Sequence, residues 1–511
     1  MKNILGREIP ESLHNFKPYR GRKVRPNLDQ QVSPPLKTGW PAKNKVVKSL
    51  REVIKLTGLK DGMTVATHHH LQDRDQILIQ ILEAIKQEGI RNITLAPTGL
   101  FPCHRIIIPY IQDGTIGHIE GDISGEVGRF ICEGNLSKPV IIRSHTARLF
   151  ARFTGKQPVD VAFLAVSASD RCGNSNGISG ANPFGSMGYA ITEARYAKQV
   201  VVVTNTILPY PLQQISLSQE FVDWVVEVEQ IGKPIRKMPV RIGMVSNPIG
   251  YLIARYAIRF GQAAGFIKKG FSFQIGSGAL GAEIGRALLN TMKEQELNAS
   301  FISGGITGAH VEMLKEGWTN MLLDVESMDA EAVESLLINN NHQEISATTY
   351  ANPFTQGCVV NELDIVFLGA TEIDTDFNVN VSTESNGLIK NTVGGHSDVA
   401  GSAKFSVILA PAFRNRISTI KNEVIAVNTP GDCVDALVTE YGICINPKKE
   451  DILEKVVEND PKLPIIPIEE LMNKIQKLTG TPKPLEFDEK IVAVWEYADG
   501  TVLDVLRKVK I

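Results

Sequence analysis

Asp160-Val161-Ala162-Phe163-Leu164 returns later in the chain as Asp364-Ile365-Val366-Phe367-Leu368. The echo extends outward in both directions. Gly62-Met63-Thr64-Val65 answers to Gly270-Phe271-Ser272-Phe273, Thr98-Gly99 to Thr307-Gly308, and Gln112-Asp113-Gly114 to Lys315-Glu316-Gly317. Tyr196-Ala197-Lys198, before the run Val200–Val203, answers to Ser402-Ala403-Lys404, before Phe405–Leu409. The offset stays near about 205 residues, far beyond a solenoid period, so it marks two similar domains and not an array. The repeated runs are apolar without alternation, as in strands buried on both faces of a parallel sheet. Strand and helix signals alternate: Met63 to Ala66, a helix over Gln76 to Gln87 with Ile77, Ile81, Leu82 and Ile85 on one face, then Asn92 to Ala96. The fold class expected is α/β, with two doubly wound open-sheet domains meeting at a cleft.

Composition supports this size. The chain has 511 residues, 43% of them hydrophobic, enough for two full cores. With 54 basic and 56 acidic side chains the net charge is -2, and no dense Lys/Arg run offers a phosphate-tracking stripe, so no nucleic acid partner is expected. The start, Met1-Lys2-Asn3-Ile4-Leu5-Gly6-Arg7, lacks a signal-peptide core, and no apolar run reaches the roughly 20 residues of a membrane span. Six cysteines without a C-x-x-C pair fit a reducing compartment. A cytoplasmic protein is expected.

The domain boundaries follow from punctuation. Residues 1–42 carry Pro10, Pro18, Pro26, Pro34, Pro35 and Pro41 and predict an extended arm. A first domain over 43–235 begins with a helix in Lys43 to Leu56. Gly232, Pro234 and Pro239 mark the passage to a second domain over 236–445, and 446–511 forms a charged, helical tail ending in a hairpin around Ala498-Asp499-Gly500.

Ligands of doubly wound sheets sit off the carboxyl ends of the strands, and four loops there carry chemistry. Thr67-His68-His69-His70-Leu71-Gln72-Asp73-Arg74 places His68 and His70 on one side of an extended backbone and His69 on the other. It suits either a structural cap or an anionic ligand; a metal lacks a second cluster with ligand spacing. Arg143-Ser144-His145-Thr146-Ala147-Arg148 gathers groups that grip carboxylates, unless its arginines are spent on ion pairs. Gly276-Ser277-Gly278 exposes backbone amides at a helix start, but no acidic residue is placed to complete a dinucleotide fingerprint. Gly304-Gly305-Ile306-Thr307-Gly308-Ala309-His310-Val311-Glu312 pairs with Gly394-Gly395-His396-Ser397-Asp398; here Glu312 is either a helix-start carboxylate or a catalytic one.

These stretches, with Gly173-Asn174-Ser175-Asn176-Gly177, Tyr350-Ala351-Asn352-Pro353-Phe354 and Glu372-Ile373-Asp374-Thr375-Asp376-Phe377-Asn378, resemble the citrate lyase α-chain family from about residue 40 onward. The resemblance implies a CoA-transferase (NagB/RpiA-like) fold and a transferase activity: acetyl thioester on an acyl carrier protein plus citrate gives citryl thioester plus acetate. It also implies a carrier (γ) and a lyase (β) subunit as partners in an oligomer, and a CoA-derived prosthetic group held by the carrier and not by this chain. His310-Val311-Glu312-Met313 is similar to the H-T-E-M segment of covalent CoA-transferases, whereas Thr383-Glu384-Ser385-Asn386-Gly387 lies where those enzymes have no nucleophile.

The resemblance and the residues together give these expectations. Citrate attacks the acetyl thioester to form a mixed anhydride, with Glu312 positioning groups, or else Glu312 is itself acylated as in a covalent CoA-transferase acting on a simple carboxylic acid. Gly394, Gly395 and the Gly276-Ser277-Gly278 loop supply oxyanion donors. His68, His70, Arg74, Arg143, Ser144, His145 and Arg148 bind citrate. A third possibility is a citrate- or carrier-binding scaffold without catalysis.

Overall fold

The computed structural model describes residues 43–235, 247–276, 278–481 and 483–510, together with Pro10. The expected arm, Pro10 aside, the passage over 236–246 and Ser277 therefore lie outside the described residues. All described residues except Pro10 belong to one compact unit, Thr38–Ile511.

Two large sheets dominate it. The first has seven strands, all parallel, in the order Val46–Val47, Trp224–Glu227, Gln199–Thr204, Val161–Ala165, Thr64–Thr67, Ile93–Pro97, Ile116–Ile119. The second has eight: His342–Glu344, Leu322–Ser327, Ala299–Ile306, Phe271–Ile275, Ile365–Gly369, Ser406–Leu409, Ala436–Thr439, Gly442–Ile445, parallel except for the last pair. In the second sheet the chain starts in the middle, winds outward to one side, then returns and winds to the other; the first sheet does the same from Thr64–Thr67 onward, after Val46–Val47 has taken one edge. Each is a doubly wound sheet, the α/β class that the alternating signals predict.

The sequence repeat has a physical cause. Asp160 Oδ2 accepts from the Thr64 amide at 2.9 Å while its Oδ1 meets Lys198 Nζ at 2.8 Å. In the second half Asp364 Oδ2 accepts from the Ser272 amide at 2.9 Å and Oδ1 meets Lys404 Nζ at 2.9 Å. Each Asp thus locks the entry of a central strand to its neighbour and to the lysine that precedes the next strand. Behind these locks, Val161–Ala165 and Phe271–Ile275 are buried at every residue, as strands covered on both faces must be.

One local expectation changes, and one strand pairs outside the large sheets. Lys43 to Leu56 is not one helix: Val46-Val47 joins the sheet edge, and Ser49 caps a shorter helix, Leu50–Thr57, by accepting from the Glu52 amide. Ser at that position competes with helix continuation and favours a start there. The strand Val140–Arg143 does not enter the large sheet. It pairs in parallel with Phe487–Glu496, which pairs antiparallel with Val502–Val509 across a turn containing Gly500 at φ 76°. The terminal hairpin therefore completes a three-stranded sheet with a strand more than 340 residues away in sequence, a pairing that local pattern cannot reveal. Among the described residues no helix is long and apolar enough to cross a membrane.

Phe163 is 1% exposed in the first core. Phe163→Ala should lower stability by about 3–5 kcal/mol, read from urea unfolding monitored by circular dichroism; a loss under about 1 kcal/mol would contradict the packing described.

Candidate functional site

The winding of each sheet reverses beside its central strand, and the loop leaving that strand opens onto the crevice where such sheets hold ligands. In the first sheet that loop is His68-His69-His70; in the second it is Gly276–Gly278.

The histidine triplet divides its labour in the opposite sense from the expectation. His68 and His70 turn inward and bond to each other, Nδ1 to Nδ1 at 2.6 Å, and His68 Nε2 meets the Ala165 carbonyl at 2.8 Å. Burial lowers His68 to about 4 and His70 well below its ordinary value, so both are neutral. The inward pair braces the loop. His69 instead reaches the other half: its Nδ1 lies 2.5 Å from Thr98 Oγ1 and its Nε2 3.2 Å from Glu326 Oε2. Its ring stacks on His145 at 5.6 Å and 4°, and Tyr189 packs against both at 5.1 and 4.2 Å. Gln72 Nε2 takes the other Glu326 oxygen at 3.0 Å. Arg74, two residues on, keeps a buried Nη2 with no hydrogen-bond partner among the described residues.

The Arg143–Arg148 segment behaves differently from its composition. Arg143 Nε is 2.6 Å from Glu496 and its Nη1 2.7 Å from Glu120, tying the terminal hairpin to the first half. Arg148, 5% exposed, is held by Glu193 at 3.2 Å and by the Pro97 and Ala96 carbonyls, each at 2.7 Å. These guanidiniums are spent on the protein, because a buried cation without partners is too costly to keep. The structure thus corrects their expected role as carboxylate grips. Ser144 is buried against Asp398, while His145 is partly exposed beside the glycine turn.

That turn, Val393-Gly394-Gly395, comes from the second half and is fastened to the first. Asp122 accepts from the Val393 and Gly394 amides at 3.0 and 2.8 Å, and the Gly394 carbonyl accepts from the His145 amide at 3.2 Å. In return Asp398, one turn into the following helix His396–Ser402, accepts from Ser144 Oγ at 2.6 Å and the Thr146 amide at 2.9 Å. Burial pushes Asp122 up to about 7 and Asp398 up to about 6, against the hydrogen bonds they receive. Both values lie above those of an unfolded chain, so the pair stabilises the fold most in acid, and that contribution is lost as pH rises through about 6 and 7. Of the oxyanion donors expected on this turn, the Gly394 amide is already committed to Asp122; the Gly395 amide has no partner among the described residues. A side chain at Gly395 would meet His145 Cδ2 at 3.1 Å. Burial lowers His145 to about 3, so it faces the turn as a neutral ring.

The remaining members come from the second sheet. Gln274 and Tyr350 bond at 2.8 Å, and any side chain at Gly304, at φ 99°, would strike Gln274 at 2.6 Å. Gly276 and Gly278 line a neighbouring cleft of about 320 Å³ with Leu280, Phe367, Leu368 and Arg414. Gly278, at φ 123°, opens the helix Ala279–Gln295. The cleft borders the turn through Gly369, whose carbonyl meets His396 Nε2 at 2.8 Å.

Glu312 lies on the helix Gly308–Lys315, and among the described residues its carboxylate makes no hydrogen bond or ion pair. No hydrogen bond or ion pair among the described residues joins it to the constellation. The carboxylate that does stand there is Glu326, at the end of Leu322–Ser327 in register with Gly305. Sequence reasoning missed Glu326, His69, Tyr189, Asp122 and Gln274. The signal for Glu326 was present: the second-half strand ends in a carboxylate, Asp-Val-Glu-Ser, where a buried strand has no reason to carry one. Among the described residues no group of three or more His, Cys, Asp or Glu is arranged to hold a metal ion.

Comparison with known proteins agrees along nearly the whole chain. A family model described as citrate lyase, alpha subunit (CitF), matches residues 43–509. The citrate lyase alpha chain of Haemophilus influenzae is 42% identical over 467 residues, covering 91% of this chain and 93% of that one. A Streptococcus mutans structure described as an alpha subunit of citrate lyase in complex with citrate superposes with a TM-score of 0.91 at 40% identity, covering 100% of both chains. A malonate decarboxylase alpha subunit from Acinetobacter baumannii shares the fold at 14% identity, with a TM-score of 0.62 over 86% of this chain and 89% of that one.

Because Arg148 shares the buried Glu193 with Arg152 and also satisfies the Pro97 and Ala96 carbonyls, Arg148→Ala should cost about 2–4 kcal/mol of stability. Urea unfolding checks this, and a variant as stable as the parent would return Arg148 to the list of ligand-binding groups.

Proposed function

The chain belongs to the citrate lyase α-subunit family, and on that premise we propose that it moves acyl groups on a carrier-protein thioester. Acetyl-S-carrier and citrate become citryl-S-carrier and acetate. The observation that carries this reading is the glycine turn pinned across the two halves, with the unpartnered Gly395 amide beside His145 and the His69–Glu326 pair.

The chemistry follows from those groups. A citrate carboxylate attacks the acetyl carbonyl of the thioester, and the oxyanion that forms is met by the Gly395 amide. The thiolate leaves and a mixed anhydride of citrate and acetate remains. The thiolate then adds to the citryl carbonyl, and acetate departs with the C–O electron pair. No carboxylate of the protein need be acylated, which fits a Glu312 that no hydrogen bond or ion pair among the described residues joins to the constellation. Losing one preorganised donor of this kind costs about 10²–10³ in rate. Arg74 Nη2, unpaired among the described residues, and the His69 and His145 rings supply the groups that face the polyacid. The cleft beside Gly276 and Gly278 receives the thioester arm of the carrier, whose thiol belongs to a CoA-derived prosthetic group. Carrier (γ) and lyase (β) subunits complete an oligomeric assembly, the latter cleaving the citryl thioester.

The isolated chain, given acetylated carrier protein and labelled citrate, should release acetate and label the carrier, with intact-mass analysis finding the chain unmodified. Absence of exchange with a competent carrier would leave only a scaffold role. An acyl adduct on Glu312 would replace the anhydride route with the covalent one.

A further inference from the structure

Glu326 introduces a negative charge where a polyacid is to bind. The partly exposed members of the constellation are Gln72, Arg74, His145, Gly394, Gly395 and Glu326. Gln72, Arg74 and Gly395 offer N–H donors, His145 a neutral ring, and the Gly394 amide is taken by Asp122. Asp122 and Asp398 are buried and occupied with the glycine turn. Glu326 differs: its side chain remains 16% exposed, beside a His69 only 6% exposed.

Its environment keeps it charged. Burial favours the neutral form, yet His69 and Gln72 together outweigh burial and hold the carboxyl below its ordinary range. An ionised carboxylate only accepts hydrogen bonds, and its two oxygens offer about four lone-pair sites. Among the described residues only two are used, by His69 Nε2 at 3.2 Å and Gln72 Nε2 at 3.0 Å. A ligand made solely of carboxylates would bring like charge against it and leave its remaining acceptor capacity unmet. A ligand that also carries a hydroxyl supplies the one donor that turns this repulsion into a charge-assisted hydrogen bond.

We propose that Glu326 is a specificity residue that accepts the hydroxyl of a hydroxypolycarboxylate, so that the site discriminates on that hydroxyl and not on carboxylate count. This inference rests on the proposed reaction and names the feature of the substrate that the site reads. A site built around a substrate hydroxyl rejects the analogue lacking it strongly, because its own polar group is then left unpaired.

The test compares citrate with propane-1,2,3-tricarboxylate, which has the same three carboxylates and hydrogen in place of the hydroxyl. Binding of each to the full chain is measured by calorimetry for the parent and for Glu326→Gln. The parent should favour citrate by on the order of 10²-fold, the scale of one hydrogen bond to a charged group. Glu326→Gln should narrow that ratio to within about tenfold, with the deoxy ligand binding more tightly than it does to the parent because the charge is gone. If Glu326 is only a clasp between the halves, Glu326→Gln weakens both ligands alike and the ratio stands; that outcome overturns the proposal. So does a parent that does not distinguish the ligands. A parent that binds neither overturns the reading of the reaction as well, which separates the two failures. Should Glu326→Gln fail to fold, Glu326→Asp carries the test: it keeps the charge but draws it back by one methylene, and it should weaken citrate by at least tenfold while leaving the deoxy ligand within about threefold.

Discussion

Two buried carboxylates, exchanged between the halves of the molecule, hold the candidate site together. Asp122 of the first half fixes the amides of Val393 and Gly394 in the second, and Asp398 of the second fixes Ser144 and Thr146 in the first. Each is taken out of water at a cost visible in its raised pKa, and each recovers part of that cost by accepting from backbone or hydroxyl donors. The result is a turn whose Gly395 amide has no partner among the described residues and whose backbone lies close to a neutral His145. A glycine pair is needed because Gly394 takes φ 55° and because any side chain at Gly395 would crowd the imidazole.

Charge is partitioned by depth around this turn. Arg143 and Arg148, the most conspicuous cations of the region, are consumed by Glu120, Glu496 and Glu193. Three histidines near the turn, His68, His70 and His145, are kept neutral by burial. What remains for a ligand is therefore a sparse set: the Gly395 amide, two stacked rings, the Gln72 amide side chain, the Arg74 guanidinium and one ionised carboxylate. Sparse polar groups in a water-poor crevice act more strongly than the same groups in bulk water.

Much of the fold was legible in the sequence. Duplication of Asp160-Val161-Ala162-Phe163-Leu164 in Asp364-Ile365-Val366-Phe367-Leu368 marks equivalent strands, and the structure gives the reason in the paired Asp160–Lys198 and Asp364–Lys404 locks. The winding of both sheets follows from the same alternation. Less of the site was legible. Period-2 reasoning separated His69 from His68 and His70 but could not tell which side faced the other half, since that depends on how the two sheets meet. The arginines looked available because their partners lie from 23 to 353 residues away. Glu312 drew notice through a short motif, whereas Glu326 sits in a strand and acquires meaning only when His69 arrives from a part of the chain 257 residues distant. Separations of that kind are written in tertiary packing and leave no local trace.

The central claim is that a polyacid lies at the seam between the halves, against the pinned turn. A crystal structure of this chain soaked with citrate measures that directly. The account predicts one carboxylate within hydrogen-bond distance of the Gly395 amide and the hydroxyl directed to Glu326. Citrate seated away from both, for instance wholly within the cleft of Gly276 and Gly278, would contradict it.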